Sequence, residues 1–285
     1  MANETTSTTL SELFENITQE AIFTFQETSV MRPLVTSYPI SGSGKTIEVP
    51  SYPAITAAAV GEATDLSNTA VDPSSVTITA SEVGVMTTLT DLARDSASRN
   101  VGADIGKLFG EAIAKKVDTD LAGLLDDFAS ANDQGGAGTE LTVDLLFKAQ
   151  AILRSANVPA PYYGVFHPKA TFNLKKTLTV PAFASSGGGL SVSEIGNEAL
   201  RNGYVGRIAG IDIFENANIS IDASDDSNGG VFHPMSLGLA LKEDFKIETQ
   251  RDASLRATEI VASITYGVGV IKDTYGVTVL TDTAL

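Results

Sequence analysis

The chain has 285 residues, enough for one large domain or two ordinary ones with a sizeable hydrophobic core. It contains no Cys, no Trp and two His, so disulfides, thiolate metal sites and Cys nucleophiles are excluded. Its net charge of −16 repels phosphate and anionic lipid, so nonspecific DNA binding is not expected as its main task. No signal peptide and no apolar run of membrane-spanning length is apparent, so we expect an intracellular, soluble protein without a membrane partner.

The chain opens with an amphipathic pattern. Apolar residues recur at three- and four-residue spacing over residues 10–34, which predicts one helix that ends before Pro33. We interpret residues 1–34 as an N-terminal arm whose apolar stripe packs on a surface elsewhere, on a neighbouring subunit. The assembly candidates on this arm are Leu13, Phe14, Ile17 and Phe25.

Residues 35–88 carry the pattern of extended structure. Apolar and polar residues alternate over 46–49 and again over 76–79, which predicts two strands of a long hairpin. The stretch between them has few large apolar side chains and so has little core of its own. Because an isolated hairpin is marginally stable in water, we expect it to lie on another surface, such as a second subunit. Lys45, the only Lys of this segment, is assigned to the hairpin tip as a solvated residue.

The strongest periodic pattern runs from Gly102 to Ser130, after a short helical stretch at 89–98. Apolar residues step by one, three and four positions without a break, which predicts a single helix. At about 1.5 Å per residue this helix would be roughly 40 Å long, enough to serve as a spine. We assign to its buried face Ile105, Leu108, Phe109, Ile113, Val117, Leu121, Leu124 and Phe128.

The remaining sequence predicts a compact α+β domain. Helices are expected at 142–156 and 168–178, and strands at 162–166 and 205–214, with a Gly-rich loop at 187–189. The segment 245–285 is rich in Val, Ile and Thr. It predicts either strands throughout or a strand pair with a short helix around 254–263.

Two sequence features resemble parts of catalytic sites. Residues 42–46, Gly-Ser-Gly-Lys-Thr, resemble the end of a phosphate-binding loop, but Pro39 stands where the first Gly of that motif is needed. A plain turn is therefore predicted. The adjacent Asp126 and Asp127 would diverge by about 100° on a helix, so they cannot act as a paired acid and base.

The two His residues, His167 and His233, occur in identical repeats of sequence Gly-Val-Phe-His-Pro. Proline biases the preceding residue towards extended backbone, so the repeat predicts two similar strand-to-helix corners and not a metal or catalytic site. The acidic run 222–230 resembles a calcium loop, but Met235 stands where a bidentate Glu is needed, so a solvated turn is predicted. We therefore assign no catalytic residue, metal or cofactor and do not expect an enzyme.

The order of these parts resembles the major capsid protein of tailed double-stranded DNA bacteriophages, which has the Hong Kong 97 fold. The resemblance covers nearly the whole chain. It is carried by the spine helix 102–130, the strand-Pro-helix segment 165–176, the segment 206–214, and 246–252 followed by Tyr266-Gly267.

The resemblance implies an α+β fold of the Hong Kong 97 type. Its parts would be the N-terminal arm 1–34, the extended loop 35–88, the peripheral domain 89–131 and 244–265, and the axial domain 132–243 and 266–285. It also implies pentamers and hexamers that close into an icosahedral virion capsid around double-stranded DNA, assembled in the host cytoplasm without sequence-specific DNA contacts. The implied partners are a portal protein and optionally a decoration protein. No long helical scaffolding segment precedes the arm, so either a separate scaffolding protein acts, which we expect, or an N-terminal scaffolding piece is not needed.

Three alternatives remain open from the residues. An encapsulin, a bacterial shell of the same fold that encloses an enzyme cargo, would show a cargo peptide on its inner wall instead of a portal and packaged DNA. An enzyme would need a site assembled from distant Asp, Ser and Lys residues. A surface-layer protein or adhesin would need an export signal.

Overall fold

The computed structural model of the protein describes residues 18–25, 28–53, 55–57, 59–62, 65, 68, 70–96, 101–179 and 206–284. Over these residues the helices are α1 (18–25), α2 (Asp91–Ser96), α3 (Val101–Gly123), α4 (Val143–Ser155) and α5 (Pro168–Thr179). The strands are β1 (Thr36–Pro39), β2 (Thr46–Ser51), β3 (Ser74–Thr79), β4 (Ser81–Thr90), β5 (Gln134–Gly135), β6 (Tyr162–Phe166), β7 (Arg207–Ile208), β8 (Ile211–Glu215), β9 (Asp226–Phe232), β10 (Leu237–Asp252), β11 (Ala257–Val270) and β12 (Gly276–Asp282). The mixture is the α+β class that the sequence predicts.

The long strands β10 and β11 form the centre of a four-stranded sheet of order β1-β10-β11-β4. They pair antiparallel from Leu237 opposite Val270 to Asp252 opposite Ala257. Because side chains alternate along a strand, every second residue of β11 faces α3. The buried residues of this face are Ile260, Ala262, Ile264 and Tyr266, and those of α3 are Phe109, Ile113, Val117 and Leu121.

A second sheet has six strands in the order β5-β12-β9-β6-β8-β7. Neighbouring residues of its central strands point into different cores. Phe166 and Val231 pack with α4 and α5, whereas Val165 and Phe232 join the core around α3. The six-stranded sheet therefore divides the two main hydrophobic cores of the described chain, and α3 and the four-stranded sheet lie on one side of it.

The sequence places Phe25 on a neighbouring subunit, and this prediction is wrong. Phe25 is 1% exposed, and its ring stacks on Phe245 with 5.4 Å between ring centroids. Helix α1 reaches this position because it crosses α3 at Gly110, where a Cβ would come within 3.1 Å of the Phe25 backbone nitrogen. The core of its own subunit buries Phe25. The other arm candidates, Leu13, Phe14 and Ile17, lie outside the described residues.

A buried carboxylate ties the chain after α1 to the middle of α3. Asp118 is fully buried and accepts hydrogen bonds from the Ser29 hydroxyl at 3.0 Å and from the backbone N–H groups of Val30 at 2.8 Å and Met31 at 3.1 Å. Burial raises the pKa of Asp118, and these hydrogen bonds oppose part of the rise. They also explain why the predicted helix 10–34 is interrupted: residues 29–31 turn towards the carboxylate, and a 3-10 turn follows at Arg32–Leu34.

The spine helix is shorter than the sequence predicts. It ends at Gly123, a 3-10 turn follows at Leu124–Asp126, and the expected continuation to Ser130 is absent. The chain turns here because Phe128 inserts beside Gly276, where any Cβ would overlap the Phe128 ring. Among the residues assigned to the buried face of the helix, Leu108 is wrong: its side chain is 62% exposed, because the neighbouring Phe109 is the one that enters the core.

The C-terminal part is extended throughout. Residues 257–270 form β11, so the alternative of a short helix around 254–263 is wrong. Cross-strand pairing with both β10 and β4 explains this, since it supplies ladder hydrogen bonds on the two edges of β11. The Gly-rich loop at 187–189 lies outside the described residues. None of the helices in the described part combines the length and the hydropathy needed to cross a bilayer.

We expect Asp118→Ala to lower the free energy of unfolding by about 3 kcal/mol, because it leaves a hydroxyl and two backbone N–H groups buried without an acceptor. Urea denaturation of the purified subunit measures this change. Glu111→Ala, at an exposed carboxylate of the same helix, is the matched control and should change the value by less than about 0.5 kcal/mol. Equal effects of the two substitutions would contradict a stabilising role for the hydrogen bonds that Asp118 accepts.

Candidate assembly surfaces

Strands β2 and β3 form a two-stranded hairpin that stands on the four-stranded sheet. They pair antiparallel, with Ile47 opposite Ile78 and Val49 opposite Val76. Alternation places all four apolar side chains on one face, and this face packs on Ala240 and Ile271 among others. The hairpin base is thus seated on its own subunit. The paired strands are also shorter than the predicted 35–88 segment, because β1 and β4 belong to the four-stranded sheet.

Three glycines of β10 and β11 form the seat for Ile78. A Cβ on Gly238 would lie 3.1 Å from Ile78 Cδ1, and one on Gly269 would lie 3.1 Å from Ile78 Cγ1. A Cβ on Gly267 would overlap the carbonyl oxygen of Thr79. The backbone of β3 can approach the sheet this closely only where side chains are missing. The feature of the sequence that could have predicted this seat is the pair Gly267 and Gly269, which interrupts an otherwise regular strand pattern.

Beyond this seat, the hairpin tip between β2 and β3 presents apolar side chains to solvent. Those described as strongly exposed are Tyr52 at 64%, Ile55 at 59%, Val60 at 45% and Val71 at 41%. The sequence has no Lys or Arg between Lys45 and Arg94, whereas the tip contains Glu62, Asp65 and Asp72. The tip is therefore both apolar and acidic, a composition typical of a surface that another molecule covers.

Lys45 lies at the base of the hairpin, so its assignment to the tip is wrong. Its carbonyl oxygen accepts the Ala80 N–H at 2.6 Å, directly before β2 begins. The preceding carbonyl, of Gly44, accepts a hydrogen bond from Lys242 Nζ at 2.5 Å. The segment 42–46 is thus a turn between β1 and β2 that enters a strand, and it lacks the helix that a phosphate-binding loop requires.

Other large apolar side chains are exposed on the two helices that cross at Gly110. These are Ile22 and Phe23 of α1 and Leu108 of α3, which are 36%, 61% and 62% exposed. An ion pair between Glu20 and Lys107, 3.2 Å apart, joins the two helices. Leu108, which the sequence assigns to the buried face of α3, is therefore a surface residue.

His167 and His233 occupy turns at the ends of β6 and β9. His167 leads into α5 as the sequence predicts, whereas the strand-to-helix corner predicted at His233 is wrong, because residues 233–236 lead into β10. In each corner the imidazole Nδ1 accepts the backbone N–H two residues further on, from Lys169 and from Met235, both at 3.1 Å. Burial lowers the pKa of both imidazoles, and the nearby Lys169 and Lys272 lower it further. Both rings are therefore neutral hydrogen-bond acceptors that shape turns.

The acidic run 222–230 is a turn that satisfies its own backbone. Asp222 Oδ1 accepts the N–H groups of Ser224 at 2.8 Å and Asp226 at 2.9 Å. The buried Asp226 accepts the Gly138 N–H at 2.9 Å. Among the described residues, no group of three or more His, Asp and Glu is arranged to hold a metal ion. Asp126 and Asp127 are exposed at the end of α3.

The geometry is that of a subunit with a projecting hairpin and exposed apolar surfaces, and comparison with known proteins identifies the family. A model of the phage capsid protein family matches residues 73–280, well over half of the chain. The chain belongs to the phage capsid protein family. This capsid protein is a structural, non-enzymatic component of the virion capsid. No curated protein matches it by sequence.

Solved structures confirm the Hong Kong 97-type fold of the capsid protein. The capsid of cyanophage P-SCSP1u is 17% identical with a TM-score of 0.69, and the match covers 90% of this chain and 89% of that chain. A Mycobacterium phage Che8 structure is 22% identical with a TM-score of 0.67, covering 88% and 90%. The holo-SrpI encapsulin complex from Synechococcus elongatus is 12% identical with a TM-score of 0.63, covering 90% and 88%.

We expect Gly267→Ala to displace the hairpin of the capsid protein, because the new methyl group overlaps the Thr79 carbonyl. The free energy of unfolding should fall by about 1–3 kcal/mol, the usual effect of overpacking. Hydrogen exchange of the β3 amides should rise with it. Gly123→Ala, where a Cβ would meet nothing within 4 Å, is the control and should leave both measurements unchanged or slightly improved. Unchanged hydrogen exchange of the β3 amides in Gly267→Ala would show that the hairpin does not need a glycine at this position to pack on the sheet.

Proposed function

We propose that this capsid protein assembles with itself, as pentamers and hexamers, into an icosahedral phage head that encloses double-stranded DNA. The observation that carries the proposal is the hairpin, whose base is buried in its own subunit while its tip exposes apolar and acidic side chains. Exposed apolar side chains grouped in this way mark a surface that another molecule covers. In a closed symmetric shell, an identical neighbour provides that surface at every subunit.

The division of the chain into arm, extended loop, peripheral domain and axial domain is part of this proposal. It is supported by the two cores, one around α3 and the four-stranded sheet and one around α4 and α5. We also propose a separate scaffolding protein, a portal protein and, optionally, a decoration protein as partners, with assembly in the host cytoplasm. Any contact with the packaged DNA would be weak and without sequence preference, because a net charge of −16 repels phosphate.

An encapsulin shell is the second candidate function. The observation in its favour is the likeness to the holo-SrpI encapsulin complex, which has the same fold. The match to the phage capsid family model favours the phage head. The two are distinguished by what purified shells contain: DNA and a portal vertex in a phage head, or an enzyme cargo bound to the inner wall in an encapsulin.

We expect the double variant Ile55→Asp with Val60→Asp to give folded subunits that do not form shells. Both side chains are exposed in the subunit, so stability should change by less than about 0.5 kcal/mol, whereas the new charges would be buried on assembly. Negative-stain electron microscopy and size-exclusion chromatography, with scaffolding protein supplied, measure shell formation.

The matched control for this hairpin experiment is Ile55→Val with Val60→Ile, which keeps the tip apolar and should assemble normally. Protease protection gives a second readout. An elastase-type protease can cleave the Ala-rich tip, and trypsin has no site between Lys45 and Arg94. Elastase should cut the tip in free subunits and spare it in shells. Normal shells from the Asp variant, or equal cleavage in both states, would contradict burial of the tip.

For the arm, we expect Phe14→Asp to yield soluble subunits that fail to form shells. Phe14 belongs to the apolar stripe that the sequence predicts, together with Leu13 and Ile17. Phe14→Leu, which keeps the stripe apolar, should assemble. Electron microscopy of both variants gives the answer, and normal particles from Phe14→Asp would rule out an assembly role for the arm.

A further inference from the structure

Two connections that run side by side join the two sheets of the subunit. One leads from β9 to β10 through residues 233–236, and the other leads from β11 to β12 through residues 271–275. Ser236 O accepts the N–H of Ile271 at 2.7 Å and that of Lys272 at 3.2 Å. At the other end, the His233 N–H donates to Tyr275 O at 3.1 Å. A third connection runs from β4 through α3 to β5, so these two are the short connections between the sheets.

His233 is the titratable group at the centre of this pair. Its side chain is largely buried, and the ring lies edge-on to Tyr275 with 6.1 Å between centroids. Lys272 Nζ lies 4.6 Å from the centroid of the same Tyr275 ring, and Asp273 follows Lys272 in the connection. Because Nδ1 accepts the Met235 N–H, the neutral imidazole carries its proton on Nε2.

Protonation would break this arrangement in two ways. A proton on Nδ1 turns the acceptor of the Met235 N–H into a second donor, so that two N–H groups oppose each other. The new positive charge would also lie close to Lys272, the charged group that acts on this imidazole. In addition, the Ser236 hydroxyl is fully buried without a hydrogen-bond partner, so the closed connection already leaves one polar group unsatisfied.

We propose that His233 is a pH-sensitive latch at the hinge between the two sheets: the neutral imidazole holds the two connections together, and protonation releases them. The latch is a property of the single subunit, so it goes beyond the proposed shell and does not depend on it. Shell assembly would use the released hinge to vary the angle between the two sheets.

The direction of the pH dependence follows from the pKa. Burial and Lys272 lower the pKa of His233 from its ordinary value of 6.5. The open connection, in which the ring is solvated, binds the proton more readily than the closed one. Stability of the closed state is therefore fully present above about pH 6.5 and is lost as the pH falls through the lower pKa of the closed state.

His167 provides an internal reference. It lies in the same five-residue repeat and its Nδ1 makes the same hydrogen bond, to the Lys169 N–H. Its corner, however, leads from β6 into α5, away from the connections between the sheets. Protonation there should loosen the start of α5 and leave the hinge unchanged.

Hydrogen exchange of the full-length, unassembled subunit tests the latch. Corrected for intrinsic rates, exchange of the amides at 236–237 and 271–275 should rise by up to about tenfold per pH unit below about pH 6.5. His233→Asn keeps an acceptor for the Met235 N–H but cannot be protonated, so its connections should exchange independently of pH. His167→Asn should retain the full rise at the connections.

Lys272→Gln supplies a second variant that leaves the imidazole in place. Lys272 lowers the pKa of His233 in the closed state, so removing its charge should bring that pKa closer to the open-state value and make the total rise smaller. Three results would overturn the latch: no rise in the unmodified protein, an equal rise in His233→Asn, or an undiminished total rise in Lys272→Gln. Because the measurement is made without assembly, it does not depend on whether shells form.

Discussion

The subunit depends on covering both faces of one long strand pair. Near Leu237–Leu241 both faces of the β10–β11 pair are apolar and need cover from water. Helix α3 covers one face over most of its length, and the hairpin base covers part of the other at the glycine seat. The path of the chain around this pair follows from these two requirements: the arm must cross α3, and β3 must approach the glycines before β4 joins the sheet.

Charge is used differently inside the subunit and at its projecting end. Inside the subunit, three protein donors take the place of water around the Asp118 carboxylate. These hydrogen bonds connect two segments that are far apart in sequence. At the hairpin tip, acidic residues without any neighbouring Lys or Arg keep exposed apolar side chains from associating at random. A subunit of this kind remains separate until a matching surface is presented, and many modest contacts are then repeated by symmetry.

The periodic features of the sequence were sufficient for the general architecture. The 3.6-residue pattern predicted α3, the alternation at 46–49 and 76–79 predicted the hairpin, and the order of parts indicated the capsid fold. The details that failed depend on residues distant in the chain. Phe25 is buried because Phe245 completes its site, and α3 stops early because Gly276 leaves room for Phe128. Local periodicity contains no information about such partners. For the same reason, local periodicity could not show that Asp118, one acidic residue within an apolar helix face, is buried and accepts hydrogen bonds from residues 29–31.

The hairpin base and the hairpin tip place different constraints on the amino-acid sequence. The base is fitted to three glycines that tolerate no side chain, whereas the described large apolar residues of the tip, Tyr52, Ile55, Val60 and Val71, are exposed. Lengthening a loop such as the tip weakens the fold only logarithmically, by about 0.6 kcal/mol for each doubling of its length. Insertions or substitutions in the tip should therefore cost the folded subunit little stability. A foreign peptide grafted into the tip would be accessible in free subunits and covered in assembled shells, so its accessibility would report on assembly.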